Sequence, residues 1–173
     1  MMRMTAVLTL GLGLLLAGCF ISDRPMFSPA SAVQPLAAGR YGLFEQYGDQ
    51  TKPSEYMEVK LRADGVYDFI NEKGAVNPVS LHPIAGGLHV AQVGLVPQDG
   101  TNRKGYGYAI LQISGREVRV YVVECAKQDK PKLIAAGVVF RGEYECAIDG
   151  VADPATFFSG LQRGEPPSRM VRE

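Results

Sequence analysis

The sequence predicts a mainly β fold: an antiparallel meander of about seven to nine strands, curled into a barrel or small sandwich, with one short C-terminal helix. Three observations carry this. Apolar and polar residues alternate in several short stretches, as in strands whose two faces differ. The 173 residues include 20 Gly and 11 Pro, the composition of a chain that turns often. Compact turn signals separate the alternating stretches, as they do between hairpin strands.

Gly39 to Gln46 reads as the first strand. Glu55 to Leu61 alternates, with Met57, Val59 and Leu61 on one face and Glu58 and Lys60 on the other. Val66 to Asn71 returns after Ala63-Asp64-Gly65. A loop of those three residues sets Leu61 opposite Tyr67, Val59 opposite Phe69 and Lys60 opposite Asp68. A loop of Asp64-Gly65 alone sets Leu61 opposite Asp68, so the longer loop is favoured because it buries like with like. A second hairpin runs from Val79 to Gly94 and turns near Gly86-Gly87. A third runs from Tyr106 to Ile113 and from Glu117 to Cys125, turning at Ser114-Gly115-Arg116. Ala109, Leu111 and Ile113 share a face with Val118, Val120 and Val122, while Tyr108, Ile110, Tyr121 and Val123 make the other face apolar too. Such a pair should be covered on both sides. Leu133 to Phe140 and Gly142 to Cys146 add one or two short strands. Asp153 as cap, Pro154 at the first helical position, and Phe157, Phe158 and Leu161 at helical spacing mark the helix.

The domain spans 39–162. Before it, residues 20–38 hold Pro25, Pro29 and Pro35 and keep no period, which reads as a flexible tether with a reach of about 25 Å. After it, the polar stretch Arg163 to Glu173, with Pro166-Pro167, reads as a disordered tail.

The first eighteen residues are different in kind. Arg3 precedes an apolar run from Ala6 to Leu16 that ends in small residues, the pattern of a secretory signal. The run is shorter than the ~20 residues needed to span a bilayer. Leu16-Ala17-Gly18-Cys19 resembles the bacterial lipobox. The resemblance implies a bacterial lipoprotein: cleavage between Gly18 and Cys19, a lipid on the Cys19 thiol, and an acylated residue 19 at the new N-terminus. Phe20 stands where an Asp marks inner-membrane retention in enteric lipoproteins, so the resemblance leans toward the outer membrane, facing the periplasm. The broad pattern is similar to the small lipoproteins of proteobacterial envelopes, which implies location but no activity.

Cys125 and Cys146 remain as an even pair in an oxidising compartment, where a disulfide is the default. A redox or metal role is the alternative, and the spacing is neither C-x-x-C nor a usual zinc pattern.

Little else points to chemistry. Formal charge is zero, from 18 basic and 18 acidic residues, so no domain-wide positive field selects nucleic acid. His82 and His89 flank the Gly86-Gly87 turn. They share a face if its loop has two residues and lie on opposite faces if it has three. No carboxylate lies in either arm to complete a metal site. Ser80 and Ser114 sit in no nucleophile-elbow pattern, and Gly-x-Ser-x-Gly is absent. Glu143 and Glu145 share a strand face, as solvated carboxylates do. Gly105-Tyr106-Gly107-Tyr108 opens a strand and cradles no phosphate. The polar loop Gly94 to Gly105, with Arg103 and Lys104, and the nearby Tyr106, Tyr108 and Tyr121 are the residues suited to recognition. The sequence thus predicts a non-catalytic, cofactor-free and metal-free module. It is held at the membrane by its lipid and binds another envelope protein or the cell wall. The alternative is a carrier enclosing a lipid or other apolar ligand in the barrel.

Overall fold

The computed structural model describes residues 20–45, 51–96, 104–142, 145–164 and 167–173. In chain order its strands are β1 (Phe20–Ser22), β2 (Gly39–Phe44), β3 (Glu55–Leu61), β4 (Tyr67–Asn71), β5 (Val76–Ile84), β6 (Leu88–Gly94), β7 (Tyr106–Ser114) and β8 (Glu117–Tyr121). Helix α1 (Lys130–Ala135), β9 (Val139–Phe140), β10 (Cys146–Ala147), helix α2 (Pro154–Ser159) and β11 (Ser168–Arg172) follow. Strands β2 through β8 pair in sequence order and β11 joins β8 back to β2, closing an antiparallel barrel of eight of the eleven strands. The open choice between barrel and sandwich is decided for the barrel.

The first hairpin has the register that the alternation predicts: Leu61 opposite Tyr67, Val59 opposite Phe69, Lys60 opposite Asp68. Arg62 N–H donates to the Val66 carbonyl at 2.9 Å, which leaves Ala63-Asp64-Gly65 as the loop, with Gly65 at a φ of +81°. A side chain at that φ is strained, and Gly removes the strain. The second hairpin turns through Ala85–Gly87, with Ile84 opposite Leu88. In the third, Ser114 faces Glu117, so the turn is shorter than the three residues read from sequence, and β8 ends at Tyr121 rather than Cys125.

The barrel interior is a solid core. Tyr67, Leu81, Val59, Val118 and Met170 each expose 1% or less of their surface. A ligand-sized void would leave accessible surface on its lining, so these side chains fill the space themselves. Leu36 packs into the same core; its N–H donates to Tyr67 Oη, and that hydroxyl donates to the Leu36 carbonyl, both at 3.0 Å.

A second core lies on the outer face of β6, β7 and β8, where Val90, Tyr108, Ile110 and Tyr121 meet Phe20, Leu133, Ile148 and Phe158. This is the cover that the two-faced strands require. Three short strands carry it outward. β1 lies antiparallel beside the start of β7, β10 runs parallel to β1, and β9 pairs with β10 at the sheet edge. The Cys125–Cys146 disulfide ties the segment after β8 to β10, with Cα atoms 6.2 Å apart.

Three expectations are corrected. Residues 20–38 are not a free tether: Phe20, Phe27 and Leu36 are buried, and Val33 bridges to Leu81. The segment keeps no period because it lies as an irregular strap across the outer wall and docks through single side chains. The tail is not disordered over its length. Ser168 and Met170 are buried and Arg169 is exposed, a five-residue strand whose polar ends hid the alternation. Without it, β2 and β8 would present open edges. Leu133 is not in a strand but in α1, which starts as α2 does: the Asp129 carboxylate accepts from Lys132 N–H at 3.2 Å, and Pro131 occupies the first turn.

Candidate functional site: a cleft on the outer wall

On β5 the residues that face outward are Pro78, Ser80 and His82, because Val79 and Leu81 face the barrel core. Ser80 lies opposite Gln92 of β6, and Gln92 opposite Tyr108 of β7. One cross-strand row therefore reads Ser80, Gln92, Tyr108, and the strap crosses above it.

Hydrogen bonds bind row and strap together, and their directions follow from the fixed backbone groups. Met26 and Phe27 N–H both donate to Gln92 Oε1, at 2.8 and 3.0 Å. The Gln92 amide nitrogen is thereby turned toward Ser80 and donates to its Oγ at 3.4 Å. Ser31 Oγ donates to the Ser28 carbonyl at 2.9 Å, so toward His82 Nδ1, also at 2.9 Å, it can only accept. His82 then carries its proton on Nδ1, and Nε2 accepts from Ser80 Oγ at 2.8 Å. On the other side Ser22 Oγ donates to the Arg24 carbonyl at 2.6 Å and accepts from Tyr108 Oη at 2.6 Å. Phe27 stacks on the His82 ring at 4.6 Å between centroids.

His82 is 1% exposed, and burial pushes its pKa below the usual imidazole value; a hydrogen bond from the ring to the Ser31 backbone carbonyl opposes the shift. Burial also pushes the Tyr108 phenol up to about 12, against the hydrogen bond with Ser22. Both side chains are neutral at pH 7, so the network holds the strap without a buried charge.

Above this floor opens a cleft of ≈ 520 Å³ between the strap, the β5–β6 wall and the loop joining β3 to β4. Phe27, Pro29, Val66, Pro78 and Leu95 give it apolar walls. Ser80 and Gln92 reach it from the floor, and Arg62 and Asp64 stand at one side, paired at 2.8 Å. At the other side Gly105 and Tyr106 line it.

The residues singled out for recognition divide accordingly. Tyr106 lines the cleft, Tyr108 is buried in the network beneath it, and Lys104 is exposed next to Gly105. Tyr121 lies elsewhere: it faces the second core, its Oη donates to Gln112 Oε1 at 3.1 Å, and Arg163 lies over its ring. Arg103, most of the Gly94–Gly105 loop, Gly18, Cys19 and Glu143 lie outside the described residues. Ser80, His82, Gln92 and Phe27 are the residues that sequence reasoning did not assemble. Ser80 and His82 sit two apart on one strand, which places them on one face, and that was the available signal. The turn of three residues puts His82 and His89 on opposite faces. Among the described residues no three His, Cys, Asp or Glu side chains cluster as metal ligands.

Comparison with protein-family models, with curated proteins and with solved structures finds no match.

Proposed function

We propose that this chain is a lipid-anchored envelope protein, tethered through Cys19 in the outer membrane. In this reading its outer-wall cleft receives an extended apolar segment of another envelope protein. The observation that carries the reading is the cleft itself: an open groove with apolar walls, over a polar floor whose donors and acceptors satisfy one another. Such a floor offers few groups for chemistry, while the walls offer apolar area to a partner. The carrier alternative finds its barrel filled by side chains, so a small apolar ligand would have to lie in the same cleft.

A photoactivatable residue at Val66, in lipidated protein in envelope membranes, tests the proposal. It should cross-link one partner protein. The same residue at the exposed Val76 should not. Equal cross-linking from both positions would remove the cleft as the binding surface. Native against denatured mass of the purified domain tests the carrier: a non-covalent excess lost on denaturation would put a small ligand in the partner's place.

A second reading is favoured by one observation. Ser80 Oγ donates to an unprotonated His82 Nε2 beside an open cleft, the polarity of a serine nucleophile and its base. Two facts weigh against it. The partner of Nδ1 is the Ser31 hydroxyl, with no negative charge to stabilise an imidazolium, and burial already disfavours that cation. Turnover of activated acyl esters that disappears in Ser80→Ala would establish this reading over simple binding.

A further inference from the structure

We infer that the face carrying Ile134 and Val139 lies against the bilayer that holds the lipid anchor. The inference rests on the lipid-anchored reading and adds an orientation to it.

Phe20 directly follows Cys19 in sequence, and it is 1% exposed, held in β1 between β7 and β10. Adjacent Cα atoms are only ~3.8 Å apart. A lipid on Cys19 therefore leaves no linker between the acyl chains and the folded domain. The domain must touch the membrane, and it must do so where the chain enters β1.

The surroundings of that point suit a headgroup layer. Ile21 pairs with Ala147, and Ala147 with Val139. Two strand spacings put Val139 about 10 Å from the β1 backbone. β9 is the outermost strand of the sheet, and Val139 on it is 61% exposed. Ile134, on α1 just before β9, is 56% exposed, although its neighbour Leu133 is buried in the second core. These are two of the five large apolar side chains that the described residues expose, and the strand that carries Val139 lies two places from β1 in the sheet.

Between Glu124 and Arg141 the chain carries four basic residues and two acidic ones, and Lys127, Lys132 and Arg141 pair with Glu124, Asp129 and Asp23. Lys130 and Lys132 on α1 are exposed, and Lys130 Nζ stands 4.8 Å over the Phe140 ring. Aliphatic side chains interleaved with lysines are what a surface needs to seat shallowly among anionic headgroups. The occupant is therefore a bilayer containing anionic lipid.

The chain contains no Trp, so a single introduced Trp reports alone. Lipidated forms of Val139→Trp and Val76→Trp, both at exposed positions, would be reconstituted in phosphatidylethanolamine–phosphatidylglycerol vesicles with brominated acyl chains. Acylation would be checked by mass. The expected result is blue-shifted emission from the residue 139 variant, quenched severalfold, with the residue 76 variant unaffected. Solvent-like, unquenched emission at 139 in a protein shown to be acylated would overturn this orientation and leave the anchor standing. Equal quenching at both sites would overturn it too. Absence of any acylated species from the envelope would remove the anchor and the orientation together.

Discussion

Phe20 lies opposite Cys146 in parallel register, so the residue that follows Cys19 is fixed beside one end of the Cys125–Cys146 disulfide. The bond braces β10, the strand that β1 pairs with outside the barrel. Replacing both cysteines by Ala should lower stability by about 3 kcal/mol, the entropy of closing a loop of this length. Amide exchange at Ile21 and Ser22 should rise with it. An unchanged denaturation midpoint would show that the brace contributes nothing.

Met170 is 1% exposed in the barrel core, on the strand that closes the barrel. Met170→Ala should cost about 2–5 kcal/mol, whereas Arg169→Ala, on the outer face, should cost about 1 kcal/mol or less. Removing residues 168–173 should expose the edges of β2 and β8 and give aggregation on gel filtration. A truncated chain that stays monomeric and unfolds cooperatively would show that the barrel closes without β11.

The buried, neutral His82 makes stability depend on pH. Its folded pKa lies below the unfolded value of about 6.5. Below pH 6.5 the unfolded chain gains a proton that the folded chain does not, so stability falls with pH until the folded pKa is passed. The slope per histidine is at most about 1.4 kcal/mol per pH unit. His89, whose pKa burial also lowers, contributes in the same direction. Urea midpoints from pH 7.5 to 5 should fall in the parent and fall less in His82→Asn. Equal slopes in the two proteins would mean that the strap opens before His82 is protonated.

Two glycines separate conformational from packing effects. A Cβ on Gly115, at φ +59°, meets nothing within 4 Å. Gly115→Ala should therefore cost only the ~1 kcal/mol of a left-handed residue. A Cβ on Gly105, at φ +125°, would collide with the Ser22 carbonyl oxygen. Gly105→Ala should cost roughly 2–3 kcal/mol and loosen β1, read as faster exchange at Ser22. Similar losses from both substitutions would deny the close approach of strap and β7.

The parts of this fold that could be read from sequence are those whose determinants are close together in it. The β3–β4 register follows from a two-residue period on each arm and one Gly at positive φ, all within Glu55 to Asn71. The cap of α2 lies in Asp153-Pro154. The apolar outer face of β7 and β8 announced a cover without saying what it was. Tertiary structure alone decided the cover, the closure and the cleft. β11 pairs residues 168–172 with β2 and β8, far back in the chain. Ser31 meets His82 across 51 positions, and Ser22 meets Tyr108 across 86. Such partners leave no local pattern, because each contact is a single side chain on an irregular segment. They become neighbours only after the barrel has brought its strands side by side, when burial makes every unpaired polar group costly and so selects the pairing.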